Sequence, residues 1–99
     1  MKTWVMPKMD LTGSDKQVIW ATDIIADIYS TVNANNKLAC EKQWPHADKW
    51  EEAFGLIIRQ IEDFLSKNEQ AGVIISCRER FRSDRILYLA NKYVNLSKF

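Results

Sequence analysis

Residues 14–32, SDKQVIWATDIIADIYSTV, decide the fold class. Val18, Ala21, Ile25, Ile28 and Val32 recur at alternating steps of three and four, which puts them on one face of a helix. Trp20, Ile24 and Tyr29 widen that face. Ahead of it, Ser14 and Gln17 have the Ser-x-x-Gln spacing of a capping box, in which each side chain serves the other residue's backbone N–H. Asp15 falls in the first turn, where the helix dipole favours an anion. The spacing predicts a helix over 15–32. Asn33, Asn35 and Asn36 then end it, since Asn accepts left-handed C-cap geometry.

Toward the C-terminus the same period recurs. Leu38 and Cys40 fit one further helical turn before Trp44-Pro45, a break because the residue before proline avoids helical angles. Trp50, Phe54, Ile57 and Ile61, with Phe64 and Leu65, predict a second helix over 46–67. Gly55 inside it costs about 1 kcal/mol relative to Ala, which points to close approach by a neighbouring helix. Asn68 caps a third segment, 69–81, with Val73, Ile74, Cys77 and Phe81 at helical spacing. The β-branched run Val73-Ile74-Ile75 leaves residues 72–77 open between helix and short strand. Ser83 or Asp84 caps a last helix, with Ile86, Leu87, Ala90, Tyr93 and Val94 inward.

Toward the N-terminus, Trp4, Val5, Met6, Met9 and Leu11 surround Pro7, which opposes a helix. This stretch reads either as an extended arm packed on the body or as a strand donated to a partner. The expectation is one all-α domain over residues 1–99, with an arm at 1–12 and a compact bundle of about four helices at 14–99.

The composition agrees. A chain of 99 residues with 46% apolar and 27% charged residues builds one core and one domain. No apolar run approaches the roughly 20 residues that span a bilayer, and the opening Met1-Lys2-Thr3-Trp4 leads into no signal-length apolar core. The expected location is cytoplasmic, with Cys40 and Cys77 as reduced thiols. The net charge of +1 hides an asymmetry. Residues 1–69 carry 8 Lys/Arg against 11 Asp/Glu, and residues 70–99 carry 6 against 2. Either one face meets a charged partner, or the two ends neutralise each other in the fold.

The chain is poor in reaction chemistry. His46 is the one histidine, the two cysteines lie 37 positions apart, and three scattered glycines build no phosphate loop. Nothing near Ser14, Ser30, Ser76 or Cys77 marks an activated nucleophile. We therefore expect no enzyme, no metal and no cofactor. Two clusters are candidate binding residues. Arg78, Arg80, Arg82 and Arg85 lie within eight residues. In a continuous helix Arg78, Arg82 and Arg85 would share a face suited to phosphates or carboxylates. Otherwise they pair with this domain's own acidic helices. The second cluster, Glu51, Glu52, Glu62 and Asp63, is either a mimic of a phosphate backbone or a solvated helix face.

Residues 11–21, LTGSDKQVIWA, resemble an opening found in small bacterial, phage and mobile-element proteins: Leu-x-Gly-Ser/Thr-x-Lys-Gln-x-x-Trp-Ala. A later segment, Ala71 to Arg78, is similar to their Ala-Lys-x-Trp-Ile-Asp-x-Arg. It keeps Ala71, Ile75 and Arg78 and departs at Ile74 and Ser76. The resemblance implies a compact helical domain of mobile-element origin with Gly13, Ser14, Lys16, Gln17 and Trp20 as signature positions, and supplies no activity. By analogy of size and missing catalytic residues, the expected function is inhibition of a host defence complex, as anti-CRISPR proteins do. The partner would be a defence protein or ribonucleoprotein. The alternative is a regulatory protein that binds DNA or RNA through the arginines. No membrane is expected, and a homodimer could bury Trp4 or Trp44 across a two-fold axis.

Overall fold

The capping box forms as its spacing requires. Ser14 Oγ accepts from the Gln17 backbone N–H at 3.2 Å, and Gln17 Oε1 accepts from the Ser14 N–H at 3.1 Å. From there the computed structural model, which describes residues 2–97, runs α1 over Asp15–Glu41, α2 over Ala47–Lys67 and α3 over Ala71–Ser76. A 3-10 turn at Arg78–Phe81 and α4 at Ser83–Ser97 complete it. Met1 of the expected arm and residues 98–99 of the expected bundle lie outside the described residues. The protein is an all-α bundle, and no strand occurs among the described residues; a single bridge pairs Thr12 with Gln70. At 27 residues α1 is about 40 Å long by helical rise, and it sets the long axis of a 44 × 23 × 20 Å body.

Three expectations about the helices are corrected. First, α1 does not stop at the asparagines but continues to Glu41. Asn36 and Ala39 are buried, so the inward stripe of Ala21, Ile25, Ile28 and Val32 carries on past Asn33. Asn33 and Asn36 serve the arm instead, while Asn35 Nδ2 donates to the Thr31 carbonyl of its own helix. Asn33 Oδ1 accepts from the Trp4 N–H at 2.9 Å while its Nδ2 donates to the Trp4 carbonyl at 2.8 Å. Asn36 Nδ2 donates to the Lys2 carbonyl and to Glu51 Oε2. Second, Trp20 turns outward and is about half exposed. Third, the helix expected over 69–81 is cut at Ser76. Gln70, not Asn68, is its N-cap, and Asn68 Nδ2 donates back to the Phe64 carbonyl. The Cys77 N–H reaches both Val73 and Ile74 carbonyls, a shared bond that tightens the chain into the 3-10 turn.

The arm lies on the body. Trp4 is buried, with Met6, Met9 and Leu11 packed against the core, so Trp4 is unavailable to a dimer interface. Its indole sits over Gly55, where an added Cβ would meet Cζ2 at 3.6 Å, an ordinary contact. The neighbour that approaches Gly55 is thus the arm, not a helix. The arm ends by pinning α3: the Thr12 N–H donates to the Glu69 carbonyl and the Ala71 N–H to the Thr12 carbonyl. Phe54, Ile25, Ile28, Ile58, Ile74 and Ile86 form the centre of the core. Cys40 and Cys77 are free and half-buried, and among the described residues no helix is long and apolar enough to cross a membrane.

Candidate functional site

Among the described residues no ion pair joins one element of this bundle to another across the fold. Every ion pair among the described residues joins positions at most four apart. The arginines therefore do not neutralise the acidic helix, and the basic C-terminal third keeps its surplus at the surface.

The four arginines are all exposed but have different surroundings. The 3-10 turn breaks the single face that a continuous helix would have given them. Arg78 Nη1 donates to the Ile75 carbonyl at 2.9 Å, and its guanidinium lies 5.4 Å from the Trp20 ring centroid, a cation–π contact. Arg82 bonds Glu79 at 3.2 Å and Asp84 at 3.4 Å. The Glu79 hydrogen bond, then the charge of Asp84, hold its guanidinium above the ordinary value. Arg80 and Arg85 have no ion pair among the described residues.

Those two residues stand on the rim of one cavity of about 430 Å³ between α2, the 3-10 turn and α4. Ile57, Gln60, Ile61 and Phe64 line it from α2, Phe81 from the turn, and Ile86 and Leu89 from α4. Phe64 and Phe81 meet edge to face, with centroids 5.6 Å apart. A second hollow of about 220 Å³ continues from the same Ile57, Gln60 and Leu89 toward Tyr93, Lys92 and Leu96. The two make one groove along the α2/α4 seam. Sequence reading passed over Gln60, Leu89, Lys92 and Leu96. A signal was present: Tyr88, Leu89 and Leu96 are apolar positions off the inward stripe of Ile86, Ala90 and Val94, and all three are exposed.

The acidic candidates are spread out and each has an intramolecular partner. Glu51 accepts from the Lys2 N–H at 3.1 Å and from Asn36. These bonds, the Lys2 one foremost, hold its carboxyl below the ordinary value. Glu52 accepts from Tyr93 Oη at 2.8 Å, and Asp63 from Lys67 at 3.1 Å. Glu62 accepts from Tyr29 Oη at 3.1 Å. Burial first, then this bond and the Glu62 charge, push the Tyr29 hydroxyl well above the usual phenol range. His46 is exposed, in left-handed backbone geometry at the start of α2, and makes no side-chain cap bond. Among the described residues no three His, Cys, Asp or Glu side chains gather as a metal site. No protein family, characterised protein or solved structure matches this chain.

Proposed function

We propose that this chain is a non-enzymatic binding protein that docks a protein partner through the groove between α2 and α4. The observation that supports it is the pairing of an apolar floor with two guanidinium groups, Arg80 and Arg85, that have no ion pair among the described residues. Exposed apolar surface is unfavourable in so small a domain unless a partner covers it, and unpaired arginines add orientation and specificity at such a site. The partner expected from the mobile-element resemblance of residues 11–21 is a host defence protein or ribonucleoprotein, which this chain would inhibit by occupying one of its surfaces.

The test is affinity capture from a bacterial lysate, with and without nuclease, using the chain and its Arg80→Glu, Arg85→Glu variant. Nuclease-resistant capture of a defence component, lost in the variant and accompanied by phage protection in cells, supports the reading. Equal capture by both proteins rejects it.

The second reading, nucleic-acid binding, draws on the same two arginines. Arg78 and Arg82 are already engaged, Arg78 by the Ile75 carbonyl and Arg82 by the carboxylates of Glu79 and Asp84. Two free guanidiniums neutralise about two phosphates, a salt slope of about −2, which holds a duplex weakly at physiological salt. For that reason we place the protein partner first.

A further inference from the structure

We infer that the occupant of the α2/α4 groove is an acidic amphipathic helix of the partner protein. This rests on the docking role proposed for the groove and names the chemistry that fits it.

The argument begins with spacing on α4. Arg85, Leu89, Lys92 and Leu96 follow one another at steps of four, three and four, so they share one helix face. Two features alternate along it: a cation every seven residues and a leucine every seven. Leu96 is 65% exposed and Leu89 38%. This seven-residue seam is what a second helix requires to lie alongside at a shallow crossing angle, its apolar residues entering between the leucines. From Arg85 to Leu96 the face runs about 16 Å by helical rise, which matches about three turns of an incoming helix. Ile57 and Leu56 of α2 supply the facing wall.

Charge selects among occupants. Arg80, Arg85 and Lys92 stand along the groove, and among the described residues no carboxylate lines either of its two hollows. A second copy of this chain related by a two-fold axis would bring these cations toward one another, since such an axis presents the same patch twice. Like charges at close range oppose that arrangement. A helix with Asp or Glu flanking its apolar stripe, seven residues apart, answers both the leucines and the cations. Helix-in-groove recognition works in this way, with apolar anchors at steps of three and four.

The test uses a displayed library of random peptides of roughly 18 residues, long enough for five turns. It is selected on the full chain and counter-selected on the Leu89→Glu, Lys92→Glu variant. Enriched peptides are expected to carry apolar residues at three- and four-residue steps flanked by Asp or Glu. A synthetic copy should gain helical circular dichroism on binding. Replacing its acids by Lys should weaken it about tenfold or more, a loss of about 1.4 kcal/mol. Since all four positions are exposed, an Arg80→Glu, Arg85→Glu protein serves as a second variant if the first loses its thermal midpoint. Enriched peptides with proline within the stripe, or with basic flanks, overturn the acidic helix while leaving the groove a docking site. No enrichment over the variants also overturns it; the lysate capture then decides separately whether the groove docks a partner at all.

Discussion

Asn33 and Asn36 illustrate how one residue type serves two ends. Asparagine is compatible with a helix terminus, but here its short amide reaches sideways to bond backbone that has no strand or helix to pair it. Glu51 completes that tether, and its titration is therefore visible in stability. Its folded pKa is depressed, so its contribution is present above its ordinary value of 4.5 and is lost as pH falls through the lower folded value. Thermal midpoints of the chain and its Glu51→Gln variant should differ at neutral pH and converge in acid. Two glycines separate by geometry. Gly13 has φ +143°, and a Cβ there would meet Gln17 Oε1 at 3.0 Å, so Gly13→Ala is expected to lose more than about 1 kcal/mol in urea unfolding. Gly55 is helical with room beneath Trp4, so Gly55→Ala should gain up to about 1 kcal/mol.

At the scale of elements, the helices stand on their caps and stripes while the arm depends on side chains from elsewhere. Ser14→Ala removes one side of the capping box and should cost about 1 kcal/mol. Trp4→Ala removes a large buried anchor of the arm and should cost about 3 kcal/mol in urea unfolding. The arm also sets where α3 begins, because Thr12 bonds on both sides of Gln70. Loss of the arm is therefore expected to loosen α3 before α2, which amide hydrogen exchange at Val73 and Ile74 would report. The 3-10 turn is the element with most consequence for the proposed docking. By interrupting the helix at Cys77 it separates Arg78 and Arg82, which are engaged locally, from Arg80 and Arg85, which face the groove.

Across the whole molecule, the exposed cations contribute little to packing, whereas the Glu51 carboxylate bonds both the arm and α1. The core cluster is apolar and, among the described residues, closes without an ion pair between elements, so the surface cations are free to vary at small stability cost. Arg80→Glu with Arg85→Glu should leave the urea midpoint within about 0.5 kcal/mol while changing what the protein captures. That separation distinguishes a docking surface from a structural one.

The sequence alone was enough for the first, second and last helices, the capping box at Ser14, the second helix to within one residue of its start, and an arm opposed to helix by Pro7, while it left residues 72–77 open between helix and strand. Each of these follows from the local period, from a cap, or from proline's fixed backbone, and none needs knowledge of neighbours. The rest is decided by contacts between residues far apart in the chain. Asn36 is a cap or a tether according to whether Lys2 and Glu51 are beside it. Trp20 is inward or outward according to where α3 and Arg78 lie. Which arginines are free depends on where Glu79 and Asp84 fall once the 3-10 turn is made. A one-dimensional pattern carries local preference; the partner of each polar group is a property of the folded chain.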